Sequence, residues 1–251
     1  MVFTGAGVSV DSGIPTFRDD GGLWREFPPE QFADLAGLWA TLRRDPSRLA
    51  AFGAAVLGPV AAARPNAAHR ALAAIERRVP VVVVTQNVDG LHQEAGSSHV
   101  HEIHGSLLAV RSALGGVRRL PRSRLARACA ALGRIGPGPA ALPRLFWALR
   151  SLLGLGPTGP HRPDIVLFGE SLREPDWRLA RRAVDECDLL LVVGTSGLVM
   201  PAATLPSVAR ARGVPVIVVD PHRPDEPAIW LPGRASDVLP ELVREAFGES
   251  S

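Results

Sequence analysis

The chain predicts an α/β fold, a parallel sheet with helices on both faces, on three observations. First, a short apolar stub, Val2-Phe3, runs directly into the glycine turn Thr4-Gly5-Ala6-Gly7. Second, in PVVVVTQNVDG at 80–90 four consecutive valines read as a strand buried on both faces, followed by a polar loop. Third, DLLLVVGTSG at 188–197 and VPVIVVD at 214–220 repeat that plan, ending in a small-residue turn and in an acid. In open sheets of this kind, ligands bind at the C-terminal rim of the strands.

The remaining elements follow in order. From Pro28-Pro29-Glu30 to Arg64 the chain is rich in Ala, Leu and Arg. It predicts two or three short helices broken at Asp45-Pro46 and Gly58-Pro59. Asn66 predicts a cap for a helix carrying His69, Leu72 and Ile75. Between 111 and 161, Gly/Pro-rich turns surround two helical candidates, Arg122 to Leu132 and Ala140 to Leu153. IVLFG at 165–169 reads as a short strand, Ala203 to Arg212 as a helix, and Asp237 as the cap of a final helix. The expected architecture is a Rossmann-like parallel sheet of at least four strands, with helices on both faces, formed by 1–110 and 162–251. Part of 25–64 is expected as a helical insertion, and 111–161 as a small inserted module, helical and metal-free. Only Met1 to Phe3 precede the glycine turn, whereas a central strand normally has about five residues. The first strand is therefore either short or begins upstream of this start.

Composition excludes several classes. At 251 residues with 46% hydrophobic residues, the chain is large enough for one sizeable α/β domain. Lys+Arg number 28 against 25 Asp+Glu, a net charge of only +3. Nucleic-acid binding calls for a clustered basic patch, and the densest candidate, Arg111 to Arg134, is interrupted throughout by Leu and Ala. No direct nucleic-acid binding is expected. Two cysteines, Cys129 and Cys187, suit neither a disulfide framework nor a zinc site. No signal peptide is visible, and no uncharged run reaches the roughly 18 to 20 residues of a membrane span. The expectation is a cytoplasmic, monomeric protein with no membrane partner.

Candidate site residues cluster at the predicted strand ends. Gly5 and Gly7 permit close backbone approach to a pyrophosphate at a helix start. The dinucleotide fingerprint would want a third glycine at position 10, where Val10 stands. Gln86, Asn87 and Asp89 place an amide pair and an acid at a strand end, suited to hydroxyl and carboxamide groups or to satisfying their own loop. His99, His101 and His104 lack a convincing further ligand for a metal. Asp220 suits the two hydroxyls of a ribose and would repel a 2′-phosphate.

The run GAGVSVDSGIPTFRDDGGLW resembles the opening signature of the Sir2, or sirtuin, family of NAD-dependent protein deacylases. TQNVDGLHQEAG at 85–96, HEIHGSL at 101–107, RPDIVLFGE at 162–170 and GTSGLVMPAATLP at 194–206 match further blocks in the family's order. The resemblance implies NAD as cofactor and acylated lysine side chains of proteins as substrate. It implies that His104 is the general base and that Asn87 lies with Gln86 and Asp89 at the nicotinamide end. Gly5, Ala6, Gly7, Ser9, Thr16, Phe17, Arg18 and Trp24 are the implied cofactor contacts of the opening block. Gly194, Thr195, Ser196, Asp220 and Ala235 complete the set. Phe168, Gly169 and Glu170, with Leu198 and Val199, are the implied edges between which a substrate peptide lies as an added strand. His92 reads as structural. The same pocket also suits an NAD glycohydrolase, an ADP-ribosyltransferase or a non-catalytic NAD-binding protein.

The pattern breaks in two places. Sirtuins usually carry four cysteines in two C-x-x-C pairs between the H-G and F-G-E motifs; here that interval has only Cys129. No zinc is expected, and Leu125, Leu132, Ile135, Leu145, Phe146, Trp147, Leu149, Leu152 and Leu153 are available to hold the module by apolar packing. Family members that remove succinyl or malonyl groups carry a Tyr and an Arg three apart, at positions that match Gly53 and Val56. The chain has no tyrosine, so a neutral acyl group is expected.

Overall fold

The computed structural model describes residues 1–17, 21–112, 114–153 and 161–248. In chain order the strands are β1 (Val2–Thr4), β2 (Val83–Thr85), β3 (Val100–Glu102), β4 (Gly105–Ser112), β5 (Val117–Arg119), β6 (His161–Ile165), β7 (Leu190–Val193), β8 (Val216–Asp220) and β9 (Ile229–Pro232). The helices are α1 (Leu23–Glu26), α2 (Pro29–Phe32), α3 (Leu35–Arg44), α4 (Pro46–Ala62), α5 (Ala67–Glu76), α6 (Leu91–Glu94), α7 (Arg122–Leu132), α8 (Ala141–Leu153), α9 (Asp176–Glu186), α10 (Leu205–Ala211) and α11 (Ala235–Phe247). A 3₁₀ segment, Ala6–Ser12, follows β1. Among the described residues no single helix is long and apolar enough to cross a membrane.

The chain forms two compact units. The first comprises the described parts of Met1–Ile14, Arg64–His104 and Leu172–Ser251; the second those of Pro15–Ala63 and Gly105–Ser171. The inserts foreseen separately within 25–64 and at 111–161 share the second unit, which takes 25–63 and the described parts of 111–161. Residues 105–110 and 162–171 go with them because β4 and β6 pair with each other.

The first unit is built on a six-stranded sheet in the order β3-β2-β1-β7-β8-β9, every pair parallel. The short stub at the N-terminus is therefore a central strand, flanked by β2 and β7. Alternate side chains (Val2, Val83, Leu191, Val193, Val219) pack with Ala68 and Leu72 of α5 and Leu239 of α11. The opposite set, Phe3, Val84, Leu190 and Val192, is buried too, so the sheet is covered on both faces. The valine run is longer than its strand: β2 takes only Val83 and Val84 from it, ending in Thr85. Asn66 caps α5, its Oδ1 accepting from the N–H groups of Ala68 at 2.9 Å and His69 at 3.3 Å. Asp237 is not a cap: α11 starts two residues earlier, after Arg234, and Asp237 lies in its first turn.

The second unit holds a three-stranded antiparallel sheet, β5-β4-β6, and the helices α1–α4, α7 and α8. The strand foreseen at 165–169 lies earlier, at His161–Ile165, because Arg162 and Pro163 pair with Arg111 and Val110 of β4. The Arg111 guanidinium reaches the buried Asp164 carboxylate at 2.6 Å across that pair. The helical segment breaks at Asp45-Pro46, where Asp45 caps α4, but continues through Pro59 to Ala62. Packing from outside holds α4 there. A Cβ on Gly53 would stand 3.0 Å from Leu132 Cδ1, and one on Gly58 3.1 Å from Cys129 Sγ. Cys129 donates its thiol to the Ala54 carbonyl at 3.5 Å. Two stripes of small residues thus bring α4 and α7 together.

Leu125, Ala128 and Leu132 of α7 are buried, as are Ala141, Leu145, Ala148 and Leu152 of α8. Phe146 and Trp147, expected in that core, are instead 60% and 67% exposed. On a 3.6-residue repeat they fall opposite the buried face, and Arg150 stacks on Trp147 at 3.5 Å. The Leu153 side chain lies outside the described residues. Both cysteines are free thiols, and among the described residues no three His, Cys, Asp or Glu side chains come together as metal ligands. A chelator should therefore leave the melting temperature unchanged, with well under one zinc per chain by elemental analysis. Leu125→Ala should lower stability by about 2–5 kcal/mol in denaturant titration.

Candidate active site

The site begins where β1 and β7 end. The chain runs outward from β1 through β2 and β3 on one side and resumes with β7, β8 and β9 on the other, so the strand order reverses at β1/β7. That reversal opens the crevice in which such sheets bind dinucleotides. Gly5 N–H donates to the Val193 carbonyl at 3.1 Å and Gly7 N–H to that of Gly194 at 2.9 Å. A Cβ on Gly5 would meet Gly194 O at 2.8 Å, and one on Gly7 would meet Gly194 Cα at 2.7 Å. Gly194 has φ +56°, and a Cβ there would lie 2.6 Å from Val8 N. All three positions need glycine, and together they leave the two turns free of side chains at the crevice where a pyrophosphate would lie. That side-chain-free cradle fits NAD. Ala6 stands between the two glycines, and Ser196, one residue past Thr195, is exposed.

The second element is the loop after β2. Gln86 bridges the two strand ends: its N–H donates to Thr4 O at 3.0 Å and its Nε2 to Thr195 Oγ1 at 2.7 Å. Asn87 donates from Nδ2 to the Gly5 carbonyl at 3.0 Å and to Ser9 Oγ at 3.1 Å. A carbonyl only accepts, so the amide orientation is fixed and Oδ1 is left as an acceptor. Ser9 donates to Asp89 Oδ2 at 2.7 Å, while Asp89 Oδ1 accepts the Leu91 N–H at 2.9 Å. Asp89 thus organises its own loop and Ser9.

His104 sits just beyond β3. Its Nδ1 lies 2.9 Å from the Gln86 carbonyl, which fixes the neutral tautomer: Nδ1 carries the proton and Nε2 the lone pair. Burial lowers its pKa below the usual imidazole value, and the hydrogen bond to Gln86 only partly opposes this. The result is a neutral base at pH 7. The neighbouring histidines diverge, His99 to Glu76 at 3.1 Å and His101 to Asp176 at 3.6 Å.

At the end of β8, Asp220 accepts the His222 N–H through Oδ1 at 2.9 Å, leaving Oδ2 for a further donor. Ala235 opens α11 and is buried. Next to it, Arg234 donates to Asp11 Oδ1 at 2.7 Å, and Ser236 donates to Asp11 Oδ2. Leu198 is exposed and Val199 half-buried.

Thr16, Phe17, Trp24, Phe168, Gly169 and Glu170 belong to the second unit. The Thr16 and Phe17 carbonyls accept the N–H groups of Leu23 and Trp24, each at 3.0 Å. The Phe17 and Trp24 rings lie 5.2 Å apart, and those of Trp24 and Phe168 6.3 Å. Three aromatic groups from distant positions thus form one cluster, with Phe17 and Phe168 partly open to solvent. Gly169 has φ +83°. The Glu170 carboxylate is taken up by Arg162, at 2.7 and 2.8 Å, and by the Leu167 N–H. Arg162 holds it below the usual carboxylate range, so it braces the 162–170 turn. Arg18 lies outside the described residues.

Fold and strand-end crevice together define a Rossmann-like protein of the NAD-binding type. The Sir2 family model matches residues 5–201. The chain is 39% identical to the NAD-dependent protein deacylase of Desulfosudis oleivorans, over 97% of this chain and 89% of that protein. Among solved structures it is similar to a Sir2 homologue in complex with 2′-O-acetyl-ADP-ribose (33% identity, TM-score 0.75, 97% of this chain and 90% of that one). It is also similar to Sir2 with a p53 peptide and NAD⁺ (26% identity, TM-score 0.74, 98% and 92%). The chain belongs to the Sir2 family.

Sequence reasoning missed the polar layer beneath the loop. Thr4 and Thr85 stand side by side in the β1/β2 register, and Thr4 Oγ1 donates to Thr85 Oγ1 at 2.8 Å. Thr85 Oγ1 also accepts the Asn87 N–H at 3.0 Å. His92 Nε2 is 3.0 Å from Thr4 Oγ1, and its ring is 4.9 Å from that of His69. The available signal was two threonines, each ending an apolar strand one residue before the site motif. Burial lowers the pKa to about 4 for His69 and about 3 for His92, with smaller contributions from the charges of Arg70 and of His69 respectively. The folded chain therefore binds these protons more weakly than the unfolded chain, whose imidazoles titrate near about 6.5. Their contribution to stability is complete above that value and is lost as pH falls through it. Thermal melts should show melting temperature dropping steadily from pH 6.5 towards 4.

Proposed function

We infer that this chain is an NAD-dependent protein deacylase, releasing nicotinamide and O-acyl-ADP-ribose as it frees the lysine amine. The observation that carries the reading is the half-buried neutral His104, whose Nδ1–H is committed to Gln86 O and whose Nε2 is left as proton acceptor. NAD, when bound, would supply an electrophilic C1′ with nicotinamide as the leaving group. His104 would accept the proton of a ribose hydroxyl at Nε2, raising that oxygen's nucleophilicity. Asn87, held through Nδ2, presents Oδ1 to the nicotinamide end, with Gln86 and Asp89 beside it. Gly5, Ala6, Gly7, Ser9, Gly194, Thr195 and Ser196 are assigned to the phosphates and ribose, and Asp220 and Ala235 to the adenosine. Thr16, Phe17, Arg18 and Trp24 are assigned to covering the cofactor. Phe168, Gly169, Leu198 and Val199 are assigned to the peptide, with Glu170 bracing its turn.

The purified chain with NAD and acetyl-lysine peptides should form nicotinamide and O-acetyl-ADP-ribose in equal amounts. Nicotinamide release without any acylated peptide would point to an NAD glycohydrolase instead. His104→Ala should lower turnover by about 10²–10⁴-fold. Because its pKa is lowered, the base stays neutral further into acid. The acidic limb of kcat/KM should therefore fall below the ordinary imidazole value of about 6.5.

The acyl group is neutral in this reading. Gly53 stands against Leu132, and neither it nor Val56 offers the bidentate partner a second carboxylate needs. In competition on one peptide backbone, acetyl-lysine should be consumed before succinyl-lysine; a kcat/KM favouring succinyl would overturn this.

A further inference from the structure

The hydrogen bonds beneath the Asn87 loop close on themselves. Starting at His92, they pass from Nε2 to Thr4 Oγ1, from Thr4 Oγ1 to Thr85 Oγ1, and from there to the Asn87 N–H. Asn87 Nδ2 continues to Ser9 Oγ, Ser9 to Asp89 Oδ2, and Asp89 Oδ1 to the Leu91 N–H at the start of α6. His92 is the next residue of that helix. Thr4 gives its hydroxyl hydrogen to Thr85, so its lone pair accepts from His92, which carries its proton on Nε2.

Such a circuit is an odd way to gain stability. His92 is 1% exposed and its Nδ1 has no partner among the described residues. Burying an imidazole with one unmet nitrogen costs free energy that an apolar side chain of similar size would not. What the circuit does supply is position. Asn87 is gripped at its backbone N–H and at both Nδ2 hydrogens, and the backbone grip ends on Thr85, whose hydroxyl is oriented through Thr4 by His92.

We propose that His92 is a positioning residue for Asn87, acting through the Thr4–Thr85 hydroxyl pair to hold the amide in register for nicotinamide departure. This rests on the role assigned to Asn87 above. Oriented groups lose efficiency steeply with small displacements, so breaking the relay slows NAD cleavage without touching the peptide.

The test uses the full chain with NAD and an acetyl-lysine peptide. His92→Leu removes the Nε2 donor, and Thr4→Val is isosteric and removes the intermediate hydroxyl. Each should lower kcat for nicotinamide release by about 10- to 100-fold, with the peptide KM unchanged; the melting temperature at pH 7.5 should be equal or higher for His92→Leu and lower for Thr4→Val, which leaves the buried His92 Nε2–H unpaired. The double variant should be no slower than the worse single one, because both cut one chain. His92→Gln, whose Nε2 also donates, should recover most of the rate. Asn87→Ala separates the two layers of the inference. If Asn87→Ala cleaves NAD at the wild-type rate, the reading of Asn87 falls and the relay with it. If Asn87→Ala is inactive while folded His92→Leu and Thr4→Val keep wild-type kcat, the relay alone is overturned. Additive losses in the double variant would overturn it equally.

Discussion

The contact between Gly7 and Gly194 is the constraint on which the site depends. Two turns far apart in sequence meet backbone to backbone, closer than any side chain permits: a Cβ on either would stand 2.7 Å from the other residue's backbone. The close approach lets both turns end flush with their strands. It brings Thr195 within 2.7 Å of Gln86 Nε2, and so links the loop after β2 to the turn after β7. Gln86, pinned there and to Thr4 O, then offers the carbonyl that sets the tautomer of His104. A single side-chain-free contact therefore bears on the glycine turns, on the Asn87 loop and on His104.

Under that contact the sheet departs from the usual apolar interior. Thr4, Thr85, His69, His92, Asp89 and Ser9 are all buried, in a place where a parallel sheet normally carries only aliphatic residues. Burial keeps both imidazoles neutral, so they act as fixed dipoles and not as charges. Polar groups in a low-dielectric setting hold direction well because rotating them away from their partners is costly. The first unit gives up some stability in acid for this. In exchange, Asn87 has little freedom left.

Much of this was legible in the sequence, for physical reasons. Parallel strands buried on both faces announce themselves as valine runs, and β2, β7 and β8 lie where those runs stand. Asn66 was readable as a cap because side-chain capping is local. The failures are equally physical. IVLFG looks like a strand, but pairing belongs to His161–Ile165, set by a register with β4 that no local pattern encodes. Pro59 breaks helices in isolation, yet α4 passes through it because α7 packs along the same helix. Glu170 reads as a substrate contact from its motif, and no local pattern shows that Arg162, eight residues earlier, takes up its carboxylate. Thr4 and Thr85 carry no visible sign of function until β1 and β2 are laid side by side.

The second unit is held without the cysteine pairs that the family usually places there. Its helices α4 and α7 approach through Gly53, Ala54 and Gly58, with Cys129 serving as a small packing residue whose thiol meets a carbonyl. Close approach of this kind multiplies dispersion contacts along the whole interface, each small and the sum large. α8 adds a second apolar face through Leu145, Ala148 and Leu152. The cost falls on position 53. A Cβ there would stand 3.0 Å from Leu132 Cδ1, so a larger residue requires that side chain to shift. That is also the position on which the proposed neutral acyl group rests. A tyrosine at 53 would have to displace the Leu132 side chain, so the packing of the second unit and the acyl group proposed above bear on the same position.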